Sequence, residues 1–225
     1  MANKKQHLRN LLNRKALRGY NRAVGGLGLP SKMPGVAYGI SAKRCATGGK
    51  LQDVPGSVCH KCYAMRNNYT YPSVMKAHEA RWEALQNLEE WSGNMTTLLR
   101  LLGTELRAEE RWFRFHDSGD VQSIEHLDAI VRVAMGNPEW RFWLPTKEWG
   151  IVRKYRESND IPGNLTVRLS TLRTGMGPVG NDLPSSTVEW NDSEHHCPAR
   201  NQGNECGSCR ACWDPNVANV NYPLH

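Results

Sequence analysis

Seven cysteines fall into two groups, and their spacing is the first chemistry this sequence offers. Cys59 and Cys62 stand three apart in "VCHKCYA", and Cys45 lies upstream in the same Gly- and Pro-rich stretch. Three thiolates are one short of a closed metal cage. On a cubane of four irons they would leave one iron free to take a substrate or cofactor. Two other readings stay open. Cys59 and Cys62 fit a zinc site completed by Cys45 or His60, and a Cys-x-x-Cys pair fits redox work. The second group lies near the end of the chain, in "HHCPARNQGNECGSCRACW". Cys206, Cys209 and Cys212 are spaced three apart, with Cys197 upstream and Pro198 behind it. A Cys-x-x-Cys-x-x-Cys run with a remote Cys-Pro is closer to ferredoxin-type ligation of a second [4Fe–4S] cluster than to paired zinc knuckles. His195 and His196 keep zinc available as the alternative. Gly207 suits a backbone that turns near the sulfurs.

Elements that would position these groups can be read from periodicity. "RWFRFHD" (111–117), "WRFWLPT" (140–146) and "NLTVRLSTL" (164–172) have strand character. Between them "SIEHLDAIVRVAMG" predicts a helix with Ser123 as N-cap and Gly136 as its stop, and a shorter helix is expected at about 149–157. Two helices precede this run, one from Pro72 through "PSVMKAHEARWEALQNL" and one at about 94–107. Alternation of strand and helix implies parallel pairing through crossover helices. The fold class is therefore α/β, a partial parallel (β/α) barrel with a cysteine-rich C-terminal extension; an open α/β sheet satisfies the same pattern. The expected organisation is a basic N-terminal helix (1–24), the barrel with its three-cysteine loop (25–190) and the metal-binding extension (191–225). Residues 25–57 read as loop.

In such folds chemistry gathers at the carboxyl ends of the strands. Three polar clusters stand there: "HDSGD" (116–120), "PTKE" (145–148) and "RLST" (168–171). His116, Asp117 and Lys147 are the candidate catalytic residues. Asp117 and Asp120 also suit the N-terminus of the following helix, His116 suits a backbone-bonded strand end, and Lys147–Glu148 suits an ordinary surface pair. Trp82, Trp91, Trp112, Trp140 and Trp143 are read as core.

Charge is uneven along the 225 residues. Eleven Lys and Arg and no acidic residue precede Asp53, so the formal net charge of +7 is an N-terminal property. Residues 4–18 predict a basic helix with Leu8, Leu11, Leu12 and Ala16 on one stripe, suited to a nucleic acid or to plain solvent. No apolar run is long enough to span a membrane, and the first residues lack the apolar core of a secretory signal. These features favour a cytoplasmic, reducing setting in which cysteines serve as ligands.

"CATGGKLQDVPGSVCHKCYA", "RFHDSGDVQS", "FWLPTKE" and "CGSCRACWD" together resemble the phage protein family known as gene product 88, over most of residues 29–225. The same motifs are similar to phage-encoded, radical-SAM-like proteins with a three-cysteine motif. That resemblance implies a [4Fe–4S] cluster on Cys45, Cys59 and Cys62 whose free iron binds S-adenosylmethionine. It also implies that Asp117, Ser118, Gly119 and Asp120 hold the methionine amino group, that Ser170 and Thr171 meet the ribose, and that an external electron donor is needed. Two features depart from the radical-SAM pattern: the gap between Cys45 and Cys59, and Lys61 where an apolar residue usually precedes the last cysteine. "DSGDVQ" is also similar to a motif of tRNA-guanine transglycosylases, in which Asp117 would be the motif aspartate. The expected function is an iron–sulfur enzyme of this kind acting on a nucleic acid or nucleotide, or, in another class, a non-catalytic zinc or iron–sulfur module that binds nucleic acid.

Overall fold

A computed structural model describes residues 2–180 and 182–224. Six strands form one all-parallel sheet in sequential order: β1 (Val36–Tyr38), β2 (Trp112–Phe115), β3 (Arg141–Thr146), β4 (Leu165–Ser170), β5 (Ser185–Val188) and β6 (Asn219–Tyr222). The helices are α1 (Ala2–Leu12), α2 (Lys15–Ala23), α3 (Ala46–Lys50), α4 (Pro72–Ala84), α5 (Leu88–Thr104), α6 (Ile124–Met135) and α7 (Trp149–Arg156). Parallel neighbours need crossovers, and when every crossover has the same hand the helices gather on one face.

Strand alternation sorts the two faces. Phe113, Phe115, Phe142, Leu144, Leu165, Val167 and Leu169 point to the helices and join Leu98, Leu99, Leu102, Leu127 and Ile130 in the main core. Each such fully buried side chain contributes about 1.5–3 kcal/mol. Caps set the helix starts, and α4 ends at Ala84 so that α5 begins at Leu88 rather than at the expected 94. Asn87 caps α5 by accepting from Glu90 N–H (3.2 Å), and Ser123 caps α6 by accepting from His126 N–H (3.1 Å). Pro72 opens α4, where a missing N–H costs nothing.

The opposite face is covered by the cysteine-rich tail. Trp143, Ala211, Cys212, Trp213 and Val220 form a second core there. Arg168 of β4, fully buried, fastens the tail. Its guanidinium donates to the carbonyls of Cys212 (3.0 Å), Ala211 (2.6 Å), Asp214 (2.7 Å), Val217 (2.8 Å) and Ser185 (3.2 Å). Thr166 donates to Trp213 O (2.8 Å), and the Trp213 indole donates to Phe113 O (2.8 Å). The tail then enters the sheet itself as β6, paired with β5.

Several elements differ from the sequence reading. The basic segment is two helices, broken at Asn13–Arg14, and the break turns Leu17 rather than Ala16 into the core beside Leu8, Leu11 and Leu12. The stretch read as loop, 25–57, contains β1 and α3. β5 and β6 were not expected: Ser-Ser-Thr-Val lacks apolar alternation, and the alternation of Asn-Val-Asn-Tyr is only four residues long. Trp91, Trp140 and Trp143 are buried, whereas Trp82 and Trp112 are half-buried.

Candidate functional site

A cleft of about 260 Å³ lies at the carboxyl ends of the strands. Cys45, Cys59 and Cys62 line it together with His116, Asp117, Ser118, Gly119, Asp120, Lys147, Ser170 and Thr171. Segments far apart in sequence, the cysteine loop and the ends of β2, β3 and β4, therefore share one cavity.

The three-cysteine loop is held by specific bonds. Cys45 ends the 3₁₀ turn Ala42–Arg44 and precedes α3. Just behind it, Thr47 donates through N–H and Oγ1 to the two carboxylate oxygens of Glu148, both at 2.8 Å. Glu148 is thus a buried clamp on the Cys45 segment rather than half of a surface pair. Val58 N–H donates to Leu172 O (3.0 Å) and Cys59 N–H to Ser57 Oγ (3.0 Å), which ties the second part of the loop to the end of β4. Lys61 takes a left-handed φ of 56° so that the chain turns between Cys59 and Cys62. A Cβ at Gly48 would stand 3.4 Å from Cys59 Sγ and 3.7 Å from Cys45 Sγ, so glycine keeps that space open.

The segment after β2 is stitched to β1. His116 N–H donates to Tyr38 O (2.6 Å), and Ile40 N–H donates to Ser118 O (3.0 Å). His116 itself is left-handed (φ 56°), a strained conformation of the kind that gathers at functional sites. Gly119 has φ 77°, and a Cβ there would meet Ile40 Cγ1 at 2.4 Å. Asp120 is buried, and its carboxylate accepts from Thr146 Oγ1 (2.6 Å), Val121 N–H (2.8 Å) and Lys147 N–H (2.9 Å). Those bonds are spent on structure. Asp117 differs, for its Oδ1 is buried with no partner. Both His116 ring nitrogens, Ser118 Oγ and Thr171 Oγ1 are buried and unpartnered as well. Native folds rarely leave such atoms bare, so this cluster has the character of a polar ligand site.

Burial sets the electrostatics. It pushes the Cys45 thiol up to about 12, with Asp120 and Cys59 adding to the rise, and it raises Cys59 against the pull of Lys147. Burial lifts Asp120 to about 6, opposed by the N–H of Lys147. His116 is driven well below 6.5 by burial and then by His126, so its ring is neutral. Metal coordination would convert these thiols to thiolates, since ligands bind deprotonated.

The tail cysteines do not line this cleft but adjoin it through Tyr222, which does. Cys209 Sγ lies 3.5 Å from His195 Nε2, and Cys212 Sγ lies 2.9 Å from the Tyr222 hydroxyl. Burial raises Cys197 and Cys206, and burial pushes Cys212 up to about 12. Gly207 takes φ 51°. All seven cysteines are free thiols, and among the described residues no group of three or more His, Cys, Asp or Glu converges as it would around a single ion.

A family model described as Gene product 88 matches residues 3–176. The chain belongs to the gene product 88 family. In this member the match takes in α1 and α2, the three-cysteine loop and the strands through β4. It starts earlier than the resemblance over 29–225 and ends before the tail cysteines. No curated protein and no solved structure matches the chain. Among the described residues no helix is long and apolar enough to cross a membrane.

Two residues at this site were not singled out from the sequence. Glu148 was legible as an acid but not as a clamp. Arg114, which lines the same cleft, shows one signal, a charge inside the aromatic strand "RWFRFHD".

Proposed function

We propose that this gene product 88 protein is an iron–sulfur enzyme of radical-SAM type, acting on a nucleic acid or nucleotide in the host cytoplasm. The sheet is then an opened (β/α) barrel, its six parallel strands in sequential order. One observation carries the reading: Cys45, Cys59 and Cys62 line the same cleft as the bare polar atoms of His116, Asp117, Ser118 and Thr171.

The donor set fits the group. Three soft thiolates suit iron–sulfur ligation. When bound, such a cluster supplies one electron to a ligand on its open iron. The chain's own residues do the rest. Asp117 Oδ1, lacking a donor, accepts from an ammonium group. Thr171 Oγ1, which is unpartnered, and Ser170, which shares a 2.9 Å bond with Ser186 Oγ, face ribose hydroxyls. Lys147, which lines the cleft, would exchange a proton with the substrate, and His116, neutral and packed on His126, would accept one only as the substrate binds. Glu148, through Thr47, fixes the Cys45 segment.

The test is anaerobic reconstitution with iron and sulfide, reduction, and assay for 5′-deoxyadenosine and methionine. Wild type should form both products, Cys62→Ser neither, and Asp117→Asn should bind cofactor more weakly with its iron content intact. A reconstituted, reduced protein that neither binds nor cleaves S-adenosylmethionine would refute the reading.

For the tail, Cys197, Cys206, Cys209 and Cys212 would hold a second [4Fe–4S] cluster, and an external donor would deliver electrons. The Cys209–His195 contact favours zinc as a second reading there. Metal analysis of a protein retaining only the tail cysteines distinguishes iron with sulfide from zinc.

A further inference from the structure

Arg168, Arg81 and Arg114 are set into this fold and are treated differently. Arg168 donates to five carbonyls. Arg81, also buried, donates to Gly26 O (2.7 Å) and Gly39 O (3.1 Å). Arg114 is half-buried, its Nε is buried without an acceptor, and its guanidinium has no ion pair among the described residues. The fold satisfies two of its enclosed guanidinium groups and leaves the third open to the cleft.

Its neighbour is left open in the same sense. Arg114 of β2 pairs in register with Trp143 of β3, and the guanidinium carbon lies 4.4 Å from the centre of the indole ring. Trp143 Nε1 is buried without an acceptor too. A guanidinium and an indole N–H can only donate. Two donors in want of an acceptor on one stack, one of them charged, favour an anion at this spot. Stacking on the ring holds the guanidinium in place while its edge stays available, an arrangement arginine suits and lysine does not.

We propose that Arg114 and Trp143 form an oxyanion subsite in the cleft, which holds a carboxylate or phosphate of the substrate. This goes beyond the function proposed above, because it names the charge class of the substrate and stands whether or not the cysteines carry iron. A competing role is internal: the Asp117 carboxylate in the same cleft acts on Arg114, and Arg114 in turn favours the Cys206 thiolate.

The experiment uses the full chain at low ionic strength, titrated separately with inorganic phosphate, pyrophosphate and succinate. Binding is read from tryptophan fluorescence and from the thermal midpoint. At least one anion should bind saturably, and whether it is a phosphate or the dicarboxylate identifies the group recognised. Arg114→Gln should weaken that binding at least about tenfold, the loss of one charge-assisted hydrogen bond. Arg114→Lys should recover only part of it. Trp143→Phe keeps the stack and removes the N–H, so a several-fold loss is expected there even if Arg114→Gln does not fold. No saturable binding by any of the three anions, or full binding by Arg114→Gln, would overturn the proposal, the second by leaving Arg114 an internal role alone.

Discussion

Thr146 Oγ1 donates to Asp120 Oδ1 at 2.6 Å, and this bond joins the end of β3 to the segment that follows β2. The same carboxylate holds the N–H groups of Val121 and Lys147. One side chain therefore fixes the spacing between two walls of the cleft. Asp120→Ala would leave three buried donors unsatisfied and should cost about 3 kcal/mol or more. Thr146→Val should cost about 1–2 kcal/mol. Because the two share a bond, the double variant should lose less than the sum. Urea unfolding of the four proteins measures the coupling, and strict additivity would show that the bond carries no weight.

Arg168 should be among the most sensitive positions in the chain. Arg168→Leu abandons five carbonyls inside the protein and should destabilise by about 3–5 kcal/mol. Lysine, with three donors on a compact ammonium, should restore only part of this. Limited proteolysis reads the local effect: cleavage within residues 195–213 should quicken in Arg168→Lys while residues 88–135 stay resistant. Equal protection of the tail in wild type and variant would mean the guanidinium does not fasten it.

Acid should weaken this fold through His126. Burial holds its ring near a pKa of about 4, below the unfolded value of 6.5. The unfolded chain binds the proton first as pH falls, so stability is full above about pH 6.5 and declines through the window down to about pH 4. The loss due to this group is about 3 kcal/mol. His126→Gln should flatten the change in urea midpoint between pH 7 and pH 4.5, and an unchanged slope would contradict the assignment.

The basic arm calls for charge substitution rather than deletion, because Leu8, Leu11, Leu12 and Leu17 are core. Arg9, Lys15, Arg18 and Arg22 are exposed, whereas Lys4 and Arg14 are engaged by Glu110 and Glu105. If the exposed four meet nucleic acid, replacing them with Gln should lower the slope of log affinity against log salt, by about 0.9 for each phosphate of duplex DNA that is no longer neutralised. Filter binding across a salt series checks this. Identical slopes would leave α1 and α2 as solvated helices.

What could be read from the sequence was the part written in apolar periodicity. β2, β3, β4, α6 and α7 alternate or repeat cleanly and stand within a few residues of their expected positions. Their polar ends, with the three-cysteine loop, do line one cleft. β5 and β6 escaped because polar bonds hold them: Thr187 Oγ1 donates to Asn221 Oδ1 (3.0 Å), and Asn219 donates to Thr187 Oγ1 (2.9 Å) and Ser193 Oγ (2.8 Å). β5 carries no hydropathy alternation, and the one in β6 is too short to stand out. β1 escaped because three residues between glycines are too short to show a period. Glu148 and Arg114 escaped for another reason. Their roles rest on which partner each meets or lacks, and that is decided by the register of strands far apart in the chain.

Trp213 of the tail lies edge-on to Trp112 and Trp143, with ring centres 5.6 Å and 5.1 Å away. Three indoles at that range exchange excitation energy, and their fixed tilts make the exchange chiral. The trio exists only while the tail lies against the sheet. Near-ultraviolet circular dichroism should therefore carry a coupled-indole band that vanishes when the tail lifts, even if the helices persist. The protein contains its own optical gauge of that docking, and no label is needed to follow it.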